Sequence, residues 1–132
     1  MTKAAQTWQP VTLGEGFRPP AGAYSPAVRA GDLVFVSGQV PRDPATGELV
    51  GEDIEGQTKQ VITNVQRALV AAGAALGDVV SMTVYLADVD HWTRFNGAYK
   101  ELMPTPHPTR TVVGANLRGI LIEVSAIAHK PL

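Results

Sequence analysis

The chain has 132 residues, 11 Lys and Arg against 12 Asp and Glu, no cysteine and a formal net charge of −1. That length fits one domain with its own core, read as residues 1–132 with a core at about 22–128 behind an N-terminal extension at 1–21. Near-neutral charge without a basic run leaves no electrostatic footprint for nucleic acid, and the missing cysteines exclude disulfides, thiolate nucleophiles and cysteine-ligated zinc. No apolar run approaches the roughly 20 residues of a membrane span, and Met1 to Trp8 lack the apolar segment of a signal peptide, so a cytoplasmic protein without membrane partners is expected.

In chain order, Arg18 to Ala23 reads as an extended loop. Val28-Arg29-Ala30, Gly31-Asp32 and Leu33 to Ser37 then read as strand, tight turn and strand. Turn formers crowd Pro41 to Gly47 and end the second strand. From Asp53 the period changes: Ile54, Val61, Ile62, Val65, Leu69 and Ala72 fill one helical face, while Lys59, Gln60, Asn64 and Arg67 fall elsewhere. Asp53 is placed to cap this helix and Gly73 to close it.

Val79 to Leu86 alternates as a strand, with Val80, Met82, Val84 and Leu86 on one side. A second helix follows, capped by Asp88 or Asp90, striped with Trp92, Phe95, Tyr99 and Met103, and stopped by Pro104. Two last strands, about Thr109 to Gly114 and Ile120 to Ala128, flank a turn at Asn116 to Gly119. The expected fold class is therefore α+β, ββαβαββ, with two helices on one face of one sheet. The last strand is apolar on both sides, and two helices cover only one face. The other face is expected to be buried against further copies of the chain in a closed homo-oligomer.

Two charges stand on the last two strands. Arg110 reads either as a strand charge paired with a neighbour or as a fork of donors that grips a carboxylate ligand. Glu123 reads either as the partner of Arg110 or Arg118 or, if partly dry, as a carboxylate that orients water and exchanges a proton. Ser37 lacks a nucleophile elbow or a histidine in suggestive context, so Ser37-Gly38 reads as a strand end where a ligand can approach bare backbone. His91, His107 and His129 lack metal-ligand spacing and no phosphate cradle is present; no metal and no cofactor are expected.

Gly22-Ala23-Tyr24-Ser25-Pro26-Ala27-Val28, Gly31 to Pro41, Asp43-Pro44-x-Thr46-Gly47, Gln57-Thr58, Ala72-Gly73, Thr83 to Leu86, Phe95-Asn96-x-x-Tyr99, Pro108-Thr109-Arg110 and Glu123-x-x-Ala126-Ile127-Ala128 occur in one order. Together they closely resemble the RidA family, also called YjgF/YER057c/UK114. The resemblance implies a sandwich similar to chorismate mutase of the trimeric (bacillus) type, assembled as a homotrimer with clefts between subunits. It implies cofactor-free hydrolysis of reactive enamines and imines, such as 2-iminobutanoate and 2-iminopropanoate, to 2-oxo acids and ammonia. By position, Arg110 and Glu123 would be catalytic, with Arg110 on the substrate carboxylate and Glu123 on the water or the departing ammonia. Tyr24, Ser37, Gly38 and Asn96 would line the substrate cleft, Tyr24 from the neighbouring subunit. The expected partner is thus a small 2-imino or 2-oxo carboxylic acid. Alternatives are a non-catalytic carboxylate-binding or chaperone-like member and, with less in its favour, an endoribonuclease or translation inhibitor. Leu117-Arg118-Gly119 replaces a turn that commonly carries Leu-Pro, Val112 stands where some active members have cysteine, and Ser125 replaces a second frequent glutamate.

Overall fold

The computed structural model describes residues 5–132; the first residues of the expected N-terminal extension, 1–4, lie outside the described residues. Six strands form one sheet: β1 (Gln9–Val11), β2 (Ala27–Ala30), β3 (Leu33–Gln39), β4 (Val79–Leu86), β5 (Thr109–Gly114) and β6 (Ile122–His129). Their order across the sheet is β1-β2-β3-β6-β4-β5. Every pairing is antiparallel except β4 with β5. Two helices, α1 (Ile54–Ala71) and α2 (Trp92–Leu102), complete the α+β fold. α1 packs on β3 and β6, and α2 packs against α1.

The β2–β3 hairpin turns at Gly31, whose φ of 59° suits glycine. α1 begins where expected: Asp53 accepts a hydrogen bond from the Gly56 N–H at 2.8 Å, and Gly73 follows the helix with φ 84°. Its apolar face is the core, with Ile54, Val61, Ile62, Val65 and Leu69 nearly inaccessible. Each such side chain contributes about 1.5–3 kcal/mol by leaving water. Facing them are Val34 and Val36 of β3, Met82, Val84 and Leu86 of β4, and Ile122, Val124, Ala126 and Ala128 of β6.

Several expectations change. β1 adds a strand within the stretch read as an extension, so one more strand precedes the helices than ββαβαββ provides. The last two strands are not neighbours: β4 lies between them, antiparallel to β6 and parallel to β5. Val80 is 47 % exposed, not in line with Met82, because the pairing register with β6 shifts between Val79 and Ser81. β6 starts at Ile122, two residues later than expected, although Ile120 is buried. Asp88 caps a 3-10 turn at Val89–His91, and α2 starts only at Trp92, without a side-chain cap. Asn64, read as lying off the apolar face of α1, is buried: its amide donates to the carbonyl oxygens of Val40 and Arg42, anchoring the chain after β3. Buried Gln57 likewise accepts from the Leu121 N–H at 2.8 Å and donates to the Gly51 carbonyl. That clamp fixes the chain just ahead of Glu123.

Among the described residues, no helix is long and apolar enough to cross a membrane.

Candidate active site

Alternation along the strands assigns each candidate to a face. Val124 and Val84 pair across β6 and β4 and are fully buried under the helices, so Glu123, opposite Tyr85, points to the other side. Arg110 pairs with Met82 of β4, which is buried on the helix side, and its guanidinium carbon lies over three rings of α2. Arg110 and Glu123 therefore occupy opposite faces of one sheet. The Arg110–Glu123 ion pair that the sequence left open is excluded within one chain. Arg118 and Glu123 do line one cavity, but they form no ion pair either.

The helix-side group is built on the edge strand β5. The Arg110 guanidinium carbon is 4.6 Å from the Tyr99 ring centroid, 5.4 Å from Phe95 and 5.6 Å from Trp92. Phe95 and Tyr99 are buried, whereas Trp92, expected in the core stripe, is 44 % exposed and faces the arginine instead. Burial raises the Tyr99 phenol above its ordinary pKa, while the Arg110 charge pulls in the opposite direction. Tyr99 meets Arg110 through its ring face. Among the described residues, Arg110 has neither a hydrogen-bond partner nor an ion-pair partner. It opens into a cavity of about 400 Å³ lined by Asn96, Tyr99, Lys100, His107, Pro108 and Arg110, with no carboxylate.

The second group lies around the end of β3. Ser37 Oγ donates to the Ser25 carbonyl at 2.6 Å, and the Ser37 N–H donates to the Pro26 carbonyl. The hydroxyl thus ties down the segment that carries Tyr24. Tyr24 is 53 % exposed and shares with Gly38 a cavity of about 660 Å³. At Gly38 a Cβ would come within 2.7 Å of Glu123 Oε2 and 3.1 Å of its Cδ. The Glu123 carboxylate thus lies against Gly38, in the space a Cβ there would need. Glu123 also borders a separate cavity with Val40, Arg42 and Arg118.

Of the sequence candidates, Asn96 and Arg110 come together on one side of the sheet, while Gly38 and Glu123 meet on the other, with Tyr24 beside Gly38 and Ser37 bonded to the neighbouring Ser25. Lys100, His107 and the ring faces of Trp92, Phe95 and Tyr99 were not singled out by the sequence as site residues. The aromatic spacing looked like an ordinary core stripe, and only the position of β5 at the sheet edge turns it into a wall of the site.

The Endoribonuclease L-PSP family model matches residues 16–130. This chain belongs to the RidA/YjgF family. It is 42 % identical to a RutC family protein of Pyrococcus horikoshii over 91 % of this chain and 97 % of that one. It is 38 % identical to the 2-iminobutanoate/2-iminopropanoate deaminase of Bos taurus, over 81 % of this chain and 80 % of the relative. The crystal structure of a yeast protein superposes with a TM-score of 0.87 at 34 % identity, covering 94 % of this chain and 99 % of that one.

Proposed function

We propose that this RidA/YjgF protein hydrolyses small 2-imino acids, such as 2-iminobutanoate and 2-iminopropanoate, in clefts completed between subunits of a homotrimer. One observation carries the reading: an unpaired guanidinium lines a cavity that contains Lys100 and His107 but no carboxylate. A buried or half-buried cation without a counter-ion is costly, and a small carboxylate ligand removes that cost while matching the guanidinium fork. The deaminase name of the Bos taurus relative supports the substrate class.

The separation of the two groups supports a site shared between copies. Arg110 and Asn96 need a carboxylate to work with, and Glu123 on the opposite face needs a substrate. The face carrying Glu123 also displays Leu33, Phe35 and Val113, each 37–42 % exposed, beside half-buried Ile127 and Tyr85. A second copy laid edge-to-face would cover this apolar surface and bring its Glu123, Gly38 and Tyr24 toward the first copy's Arg110.

In such a cleft Arg110 holds the substrate carboxylate, leaving the adjacent C=N carbon fixed beside a water molecule. Water adds to that carbon of the protonated imine as Glu123 takes the water proton, giving a carbinolamine. The carboxylic acid of Glu123 then returns its proton to the nitrogen. The C–N bond breaks as the Glu123 carboxylate takes the hydroxyl proton and passes it to the departing ammonia, so that ammonium and the 2-oxo acid leave.

The test generates 2-iminobutanoate in situ and traps what survives with semicarbazide. The wild-type protein is expected to accelerate imine loss. Arg110→Ala should lose at least about 30-fold in kcat/KM, the equivalent of the roughly 2–5 kcal/mol that a paired buried charge contributes, while keeping its assembly on size exclusion. Retained turnover in Arg110→Ala removes the arginine from the mechanism. A second reading, carboxylate binding without catalysis, is favoured by the observation that within one chain the anchor Arg110 and the base Glu123 lie on opposite faces of the sheet. Unchanged imine loss together with thermal stabilisation by 2-oxobutanoate would select it. The endoribonuclease description of the family model finds no matching feature in a chain of net charge −1 without a basic run.

A further inference from the structure

We propose that Tyr99 is a positioning residue: its ring face, with Phe95 and Trp92 beside it, holds the Arg110 guanidinium in register for the ligand while leaving every N–H of the fork free. This rests on the reading of Arg110 as the carboxylate anchor.

Arginines that must point in one direction are commonly aligned by a protein carboxylate. Here that device would fail, because a protein carboxylate would neutralise the charge and occupy the donors meant for the ligand. An aromatic face attracts a cation through its quadrupole and makes no demand on the N–H edge. Arg110 lies within 5.6 Å of three ring centroids, the nearest being Tyr99 at 4.6 Å. Trp92, Phe95 and Tyr99 recur at i, i+3 and i+7, so one face of α2 supplies the whole cradle. Phe95 and Tyr99 are fixed by burial and by each other, their centroids 5.5 Å apart at an interplanar angle of 52°. Exposed Trp92 closes the outer side.

Tyr99 also permits a clean experiment. Its hydroxyl is buried and has no hydrogen-bond partner, so replacing the phenol by a phenyl ring deletes no hydrogen bond of the fold. The probe is 2-oxobutanoate, titrated calorimetrically into the full-length assembled protein, with steady-state imine hydrolysis measured beside it. Tyr99→Phe is expected to bind within about twofold of wild type, and Tyr99→Leu about tenfold more weakly. The deciding series places progressively fluorinated phenylalanines at position 99. Fluorination drains the negative face of the ring while nearly preserving its shape, so affinity should fall stepwise, with the loss appearing in KM and not in kcat. A purely structural role would leave that series flat even if Tyr99→Leu failed to fold. A flat series alongside an Arg110→Ala variant that no longer binds 2-oxobutanoate overturns the positioning role alone. Undiminished binding by Arg110→Ala overturns the functional reading and this inference with it.

Discussion

The two faces of the sheet hold charges of opposite sign in different ways. On the helix side, Arg110 rests in a cradle of three rings supplied by the same chain and faces a cavity lined by Lys100 and His107 and by no carboxylate of the described residues. On the open side, Glu123 packs its carboxylate against Gly38, on the same face as exposed Phe35 and Leu33 further along the sheet. The first group is supported entirely within the chain, whereas the second lies on a face that no helix among the described residues covers. On the proposed function, the difference teaches that a sheet can divide a reaction between its faces: the anchor would be stabilised within the chain, and the proton carrier left for assembly to enclose.

The largest expected effect tests whether those halves belong to one cleft. Arg110→Ala and Glu123→Gln subunits should each be inactive alone. Co-expressed in equal amounts and mixed at random, they should regain about a quarter of wild-type activity, because one cleft in four then pairs an intact Arg110 side with an intact Glu123 side. Absence of any regain, with mixed oligomers verified by mass spectrometry, would break the comparison by showing that the two charges never share a site.

A smaller effect sharpens it from the open side. A Cβ at Gly38 meets the far end of the Glu123 side chain, not backbone, so Gly38→Ala should fold normally and displace the carboxylate. Misplacing a reacting group by about an ångström costs up to about 10²-fold in rate. Turnover should fall within that bound while 2-oxobutanoate affinity holds, because Arg110 is untouched. Equal losses in binding and turnover would mean that Gly38 also shapes the anchor side.

How much of this was legible in the sequence follows from which interactions are local. The α1 face, its Asp53 cap and the Gly31 turn depend on neighbours along the chain, and periodicity exposes them. The two-sided character of β6 was also readable, since Ile122 and Val124 alternate with a half-buried set that includes Ile127. What periodicity could not reveal was the insertion of β4 between β5 and β6, a long-range pairing that moves Arg110 to the sheet edge beside α2. From the sequence Arg110 and Glu123 looked like adjacent charges able to pair, and Tyr99 looked like core. That Glu123 arrives beside Gly38 from β6 is likewise announced by nothing local. Asn64 was missed for a related reason: a buried amide at a helix–loop contact has no periodic signature, and its partners are the carbonyls of Val40 and Arg42.

The smallest effect concerns the helix that carries the cradle. Arg94 of α2 donates two hydrogen bonds to Glu55 in the first turn of α1, at 2.7 and 3.0 Å, tying the aromatic face of α2 to the core helix. The hydrogen bond from Arg94 holds the Glu55 carboxyl below its ordinary pKa. A depressed native pKa means the pair contributes stability above the ordinary glutamate pKa and loses it as pH falls through the lower native value. Both groups are exposed, so the contribution is small. Glu55→Gln should therefore lower the thermal midpoint slightly at neutral pH, and the difference from wild type should shrink progressively in acid. Because the tether holds α2, any change in ligand handling should appear in 2-oxobutanoate affinity, on the Arg110 side, with the Glu123-dependent step unchanged. A difference in midpoint that stays constant from neutral to strongly acidic pH would show that Glu55 supports the fold by packing, not by its charge.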